Sequence, residues 1–534
     1  MIASSAPPVE NDRGNSYDAI PYSVLSHYFT HPDRLATVGT LFGLAPPHIE
    51  SCRVLELGCA SGGNLIPMAY ALPGSQFVGI DLSPAQVEQG QKYINMLKLS
   101  NIRLKTQDLL DFSADQAPFD YILVHGVFSW IPPMAQEKVF EICRQSLSTN
   151  GVAYVSYNVL PGWKMEQALR EMMLFHIRGE KLPKERYRKA VELLDFMAKD
   201  PSTAGDETYR EYLRKTIQRM HKHADANYQY WIHEYLEEFN TPFYFSDVVE
   251  MAGRHAMQYL ADSDLPTMYT NDLNEESCQF LEEHAHNWVE REQYLDYVRN
   301  RMFRRSLFCR QEAALTRHPG LEQLRRLNVL SRILPLDKEV STLDDTPMVF
   351  EVTKEAVLTF HEPIQKTALV YLADQLPRPV PFDELAQATL ARLGNTSEQP
   401  FGAAEIARVL YMIHTFYPSL INFNTWTPPS ILDVSQRPTA SAVARLLAAT
   451  GSPITNLIHR RVEMEEHSRY LLWCLNGERS QAELVDMLET AWRTGKIPLT
   501  YLKPDSEAQA ARETIARQVA FQLEDFARLN LLVA

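Results

Sequence analysis

The stretch RVLELGCASGGNLIPMA, Arg53 to Ala69, decides the fold. Arg53–Leu57 is a short β-rich run, apolar enough for a strand buried on both faces. It breaks at Gly58, Gly62 and Gly63, then resumes as an apolar helical pattern from Asn64. Strand, glycine turn and helix in that order put a backbone loop at the carboxyl edge of a parallel sheet, where a ligand can approach the main chain closely. The spacing is not G-x-G-x-x-G, which disfavours a dinucleotide site. Glu56 points the same way. A carboxylate beside the loop would repel a pyrophosphate but suits a ligand carrying an ammonium and a sulfonium.

Working outward, four more short β-rich runs follow: QFVGI from Gln76, IRLKT from Ile102, FDYILV from Phe119 and GVAYVS from Gly151. Helical patterns separate them, and the one after Ser83 has a capping residue with Pro84 at its first turn. Strands alternating with helices predict an α/β fold, a Rossmann-like, doubly wound parallel sheet. Asp81 closes the second strand, about 20 residues beyond the loop, where a carboxylate can bind both hydroxyls of a ribose. Asp108 follows the third strand and can accept from the exocyclic amine of an adenine, with Leu82 and Leu109 sandwiching the ring. The fourth strand ends in His125-Gly-Val-Phe-Ser-Trp130, on the same edge.

Farther out, residues 1–16 are polar and read as a disordered lead. Thr30 is expected to cap a helix through Phe42, with Pro46-Pro47 ending the segment. Lys164 to Phe239 reads as helical. A capped helix and a strand near Met257–Ala261 then return to the sheet, so the helical block is an insertion. Trp288 to Phe308 also reads as helical, and a turn-rich stretch near Leu334 marks a boundary before winged-helix-like modules. The expected domains are 17–163, completed by 240–265, then a helical regulatory or dimerisation domain at 164–310, a middle domain at 311–430 and a C-terminal domain at 431–534.

The chain has 534 residues, 45% of them hydrophobic, and a formal net charge of −15. No stretch is apolar for the roughly 18 residues of a membrane span, and the first residues lack a secretory pattern. Six scattered cysteines fit reduced thiols in a cytoplasm. The acidic balance argues against a nucleic-acid partner and would attract a cationic substrate at long range. The pairs His221/His223 and His284/His286 lack a matching ligand frame, so no metal is expected.

The glycine loop with Glu56, then Asp81, Asp108 and the fourth-strand loop, together resemble the class I methyltransferase family over about Leu41 to Trp163. The resemblance implies S-adenosylmethionine as cofactor. It brings the expected cofactor set to Tyr22, Glu56, Gly58, Cys59, Gly62, Asn64, Asp81, Leu82, Gln107, Asp108, Leu109 and His125. Further stretches, among them THPDRLAT from Thr30, VSYNVLPGWK from Val155, HEYLEEFNTPFYFSDV from His233 and EQYLDYVRNRMFRRSL from Glu292, resemble bacterial methyltransferases with a regulatory domain. Within these, the likeness is to the rickettsial-type lysine methyltransferases of outer-membrane proteins, which implies a homodimer and lysine side chains of a protein as acceptor.

Methyl transfer is an in-line displacement that needs alignment, exclusion of water and a deprotonated acceptor. His125 is a candidate base or polarising group. Asn158 could place its oxygen at the acceptor nitrogen, and Tyr157 and Trp163, with Tyr22, Tyr28 and Trp130, could wall the acceptor with aromatic faces. Two alternatives stay open on the sequence: a small-molecule methyltransferase, and a non-catalytic cofactor-sensing scaffold. The two hundred residues beyond Leu334 are expected to select the substrate and to have no part in holding the cofactor.

Overall fold

The computed structural model describes residues 20, 25–113, 118–199, 207–226, 228–337, 339–353, 356–376, 378–394, 400–429, 431, 433–502 and 507–534. The lead 1–16 and Tyr22 lie outside them.

A seven-stranded sheet organises the chain. Its strands are β1 (Arg53–Leu57), β2 (Gln76–Asp81), β3 (Ile102–Thr106), β4 (Phe119–Val124), β5 (Leu147–Asn158), β6 (Met257–Asp262) and β7 (Phe303–Arg310), in the order β3-β2-β1-β4-β5-β7-β6. The first five run parallel, and β7 runs antiparallel to both neighbours. Val54, Leu55 and Leu57 in β1 and Tyr121–Val124 in β4 are fully buried, as strands covered by helices on both faces require. The strand order reverses at β1, so a crevice opens between the carboxyl ends of β1 and β4.

The helices α1 (Pro32–Leu41), α2 (Leu65–Ala71), α3 (Pro84–Leu97) and α4 (Pro133–Ser146) pack with this sheet. Ser83 caps α3, its hydroxyl accepting from the Gln86 amide at 3.2 Å. The cap of α1 is His31, whose Nδ1 accepts from the Asp33 amide, and not Thr30. Thr30 instead points its hydroxyl at the site below.

Between β5 and β6 stand α5 (Lys164–His176), α6 (Pro183–Ala198), α7 (Glu207–Ala226) and α8 (Tyr228–Tyr235). They have their own core, built on Leu169, Met173, Leu194, Ile217, Met220 and Trp231. Next come α9 (Phe245–Arg254), β6, α10 (Glu275–His284) and α11 (Trp288–Arg299).

The helix expected through Phe308 stops at Arg299, where Asn300 takes a left-handed cap at φ 47°. The rest is β7, which inserts between β5 and β6. Its charged look hid an inward arginine. Arg304 is fully buried, its guanidinium on Asp296 (2.8 Å) and Glu292 (3.1 Å) of α11 and 4.0 Å above the Phe245 ring. A buried cation survives only when paired in this way.

After β7 the chain builds a second sheet, in the order Val380–Pro381, Asn328–Ser331, Ile421–Asn424, against helices Pro363–Asp374, Phe382–Arg392 and Pro400–Phe416. This unit shares one continuous core with the main sheet, and its Trp426 stacks on His31 at the start of α1, centroids 6.0 Å apart. The Asp33 carboxylate in α1 fastens it by accepting from the amide (2.7 Å) and hydroxyl (2.8 Å) of Thr425. Residues from Ala440 onward form a third core around four helices and the ribbon Ile454–Thr455/Arg461–Val462. It leans on the first domain, where the Tyr70 hydroxyl accepts from the Ala442 amide at 3.1 Å.

Candidate active site

The glycine loop after β1 is tied to β2 by its own amides. Gly58 and Cys59 donate to the Ile80 carbonyl at 2.8 and 3.0 Å. Ala60 donates to Asp81 Oδ2 at 2.7 Å, and Ser83 donates to Asp81 Oδ1 at 2.9 Å. Asp81 therefore shapes the loop as well as standing at the strand end where a ribose would lie. Gly58 sits at φ +75°, and a Cβ there would meet Val127 Cγ2 at 2.4 Å; Gly62 sits at φ +72°. Both glycines are dictated by backbone conformation and close packing. The Cys59 side chain is buried against Gly79 of β2, so only its main chain can face a ligand.

Behind the loop, Asn64 joins four parts of the chain. Its Nδ2 donates to Glu56 Oε1 at 2.8 Å and to Thr30 Oγ1 at 2.9 Å. Its Oδ1 accepts from the His27 amide at 3.0 Å and from His459 Nε2 at 2.8 Å. Glu56 is buried, and its second oxygen, Oε2, has no hydrogen-bond partner. Burial, and then the negative charge of Asp81, push the Glu56 carboxyl up to about 8, against the Asn64 bond that lowers it. A buried carboxylate with one oxygen lacking a protein partner suits a cation, so the donor set fits an amino-acid ammonium.

At the other end of the crevice, Asp108 accepts from the Leu110 amide at 2.9 Å and starts a short turn of helix. Leu109 is half-buried, while Leu82 is 60% exposed. An exposed leucine beside a strand-end carboxylate is the arrangement expected of a flat ring's cover. Gln107 donates its amide to the Asp81 carbonyl at 2.8 Å, fixing β3 to β2 at this edge.

His125 directly follows β4 and opens into a cavity of about 530 Å³. Its Nδ1 lies 2.9 Å from the Tyr154 hydroxyl, and its ring meets that of His27 tilted at 39°, centroids 3.8 Å apart. Burial, together with His27, Arg305 and Arg461, holds its pKa well below 6.5. The imidazole is therefore neutral near pH 7. The same forces lower His27 to about 3.

Three expected acceptor-side residues lie elsewhere. Tyr157 is fully buried in the sheet, its hydroxyl 2.8 Å from Ser306 on β7. Asn158 is buried, its amide nitrogen reaching Asn240 at 3.3 Å. Trp163 stacks on Tyr235 at 6.1 Å inside the core of the helical insertion. None of the three lines the cavity at His125. β5 carries its residues inward to be covered by β7, and that strand was the one hidden in the sequence. Trp130 and Tyr28 are half-buried, and Arg460 lies 3.9 Å over the Tyr28 ring.

Two features went unread in the sequence. One is His459, from the C-terminal unit, which donates to Asn64 one residue away from Glu56 in the hydrogen-bond chain. The tail beyond Leu334 thus reaches the cofactor crevice, contrary to expectation. The other is the charge of the cavity: Arg34, Arg305, Arg332, Arg460 and Arg461 line it, against one carboxylate, Asp264. The overall −15 does not extend here. These arginines come from four separated segments, so no local signal existed, apart from the pair Arg460-Arg461.

Among the described residues, no group of three His, Cys, Asp or Glu could hold a metal ion, and no helix is long and apolar enough to cross a membrane. His221 lies 3.1 Å from Asp195, and His284 packs at a tilt against Phe280, ring centroids 4.3 Å apart.

Comparison with known proteins agrees with this architecture. Residues 54–151 match a methyltransferase domain, 227–310 a predicted methyltransferase regulatory domain, and 436–531 the C-terminal winged helix domain of PKMT. An uncharacterized protein of Rickettsia prowazekii is 30% identical over 491 residues, covering 91% of this chain and 88% of its own. A second R. prowazekii protein is 39% identical over 245 residues, 46% of this chain and 96% of its own. Among solved structures, PKMT2 from Rickettsia typhi, in complex with AdoHcy, superposes with a TM-score of 0.82 at 30% identity, over 96% of this chain and 100% of that one. A likeness that covers 96% of this chain and all of PKMT2, with the methyltransferase-domain match lying on the glycine loop and the parallel strands, settles the family: this protein belongs with PKMT2 and is a class I S-adenosylmethionine-dependent methyltransferase.

Proposed function

We propose that the acceptor is the side-chain amine of a protein lysine. The supporting observation is the cavity at His125. The main sheet, the middle unit and the C-terminal ribbon all wall it, and it is bordered by the exposed residues Arg332 and Arg461. A small-molecule site is usually mostly apolar; this one is lined by five arginines and built from three units. The likeness to rickettsial-type lysine methyltransferases supports the same acceptor class.

In this reading Glu56 holds the cofactor's ammonium, Asp81 its ribose hydroxyls, and Asp108, Leu109 and Leu82 its adenine. Gly58, Gly62 and the Cys59 main chain let it lie close, with Asn64 and Gln107 bracing the seats. The cofactor supplies an electrophilic methyl on a sulfonium. His125 stays neutral and, with its Nδ1–H on the Tyr154 oxygen, offers Nε2 to orient an N–H of the incoming amine. No strong base is required. The five arginines lower the pKa of a nearby ammonium by like-charge repulsion, so the lysine arrives ready to lose its proton.

We also propose that the protein is a homodimer through the helical insertion. The face between α5, α6 and α7 carries an apolar groove of about 840 Å³ with Phe175 64% and Phe196 58% exposed. Exposed aromatic clusters of this kind mark association surfaces. Light scattering should give twice the 61.2 kDa chain mass, and a monomer at micromolar concentration refutes this.

The function is tested by incubating the protein with bacterial lysate and methyl-labelled S-adenosylmethionine. Label should enter protein as methyl-lysine. Label found only in small molecules overturns the reading.

A further inference from the structure

Arginines that converge without counter-ions repel one another and need a partner. In the His125 cavity, Arg305 has an ion pair with Asp264 at 3.4 Å. Arg34 gives its Nε to the Ser263 carbonyl at 2.8 Å, and Arg460 lies over Tyr28. Among the described residues, no ion pair joins Arg34, Arg332, Arg460 or Arg461 to a carboxylate. The histidines there add no compensating negative charge, and the ring pair His27–His125 is held neutral first by burial and then by Arg305 and Arg461.

A cationic lysine approaching alone would be pushed away from this cavity. That repulsion is relieved if the acceptor arrives with negative charge beside it. We propose that the cavity recognises carboxylate side chains flanking the acceptor lysine, so that the substrates are acidic segments of protein. Guanidinium groups suit this role, since their planar donors pair with carboxylates bidentately. The cavity's volume of about 530 Å³ leaves room for more than the lysine alone, and Arg332 and Arg461 are exposed at its border. This rests on the protein-lysine reading above and adds the sequence context of that lysine.

The test uses the full chain saturated with S-adenosylhomocysteine and fluorescein-labelled hexaglutamate as probe. Hexaglutamate should bind and should compete with lysate proteins for methyl label, whereas hexalysine should do neither. The double variant Arg332→Gln/Arg461→Gln should weaken hexaglutamate about tenfold or more, as lost charge-assisted bonds require, and should raise the KM for protein. Its affinity for S-adenosylhomocysteine should stay within about twofold, which also reports that it is folded.

Lysate labelling without hexaglutamate binding overturns this proposal alone. So does a parallel loss of S-adenosylhomocysteine affinity, which would assign the arginines to the cofactor's own carboxylate. Tighter binding of inorganic pyrophosphate or a single-stranded hexanucleotide than of hexaglutamate would make the ligand a phosphate and likewise overturn it. If label enters only small molecules, the protein-lysine reading falls first and this inference with it.

Discussion

Cofactor binding should release a proton, and Glu56 should be its source. The carboxyl is buried, one oxygen is bonded to Asn64 Nδ2 at 2.8 Å and the other is bare, and burial together with Asp81 raises it to about 8. At about pH 6.5 nearly every molecule is then protonated there. An ammonium seated against Oε2 makes the ionised form the favoured one, so binding should expel roughly one proton. Titration calorimetry with S-adenosylhomocysteine at about pH 6.5, in two buffers of different ionisation enthalpy, measures this directly. Affinity should accordingly rise by up to about tenfold per pH unit below pH 8. Glu56→Gln keeps the shape, removes the proton and the charge, and should cost about 1.5–3 kcal/mol of binding, roughly 10- to 150-fold. The stability sign is opposite. A carboxyl whose folded pKa lies above its unfolded value of 4.5 favours the fold at low pH, and that contribution drains away as pH rises from about 4.5 to about 8. The ligand-free Glu56→Gln protein should therefore melt higher than the unsubstituted protein above pH 8, while binding cofactor worse. Binding that releases no proton at pH 6.5 would refute the assignment of Glu56 to the ammonium.

Other substitutions address the rest of the site and its frame. Asp81→Ala removes the acceptor of the Ala60 and Ser83 amides as well as the ribose partner; S-adenosylhomocysteine affinity should drop by about 2–4 kcal/mol, and unchanged calorimetry would exclude it from the site. His459→Asn tolerates the left-handed backbone at φ 61° but is too short to reach Asn64; cofactor affinity should fall about fivefold for one lost neutral hydrogen bond, whereas no change would mean that the C-terminal unit only rests on the crevice. Arg304→Met takes away the nearest cation of Asp296 and Glu292 and leaves these buried carboxylates only the longer contacts to Arg301 (3.3 Å) and Arg291 (3.5 Å); calorimetric melting should show a loss of about 3 kcal/mol, and a loss under about 1 kcal/mol would show that the network is not holding β7. Trp163→Ala, at a residue packed on Tyr235 in the insertion, should lower thermal stability and leave the KM for protein unaltered; a selective rise in that KM would return Trp163 to the acceptor site.

The cofactor half of this protein was readable along the chain. Glu56, Gly58, Gly62, Asp81, Asp108 and His125 each stand within a few residues of the strand that presents them, so strand period and spacing alone brought them to one edge. The same local logic gave β1 to β6. It failed at β7, because Asn300 ends the preceding helix by backbone conformation while the charge pattern runs on, and because Arg304 turns inward only where Asp296 and Glu292 receive it. That error had consequences. With β7 covering β5, Tyr157 and Asn158 are core residues, and Trp163 belongs to the insertion's own packing. The acceptor side was decided by tertiary structure. His459 meets Asn64 across 395 positions, and the five cavity arginines come from residues 34 to 461. A strand's period fixes what lies a few residues away. Long-range packing alone chooses which distant charges meet, and a formal total of −15 conceals a positive cavity because an electrostatic field depends on where charges sit and not on their sum.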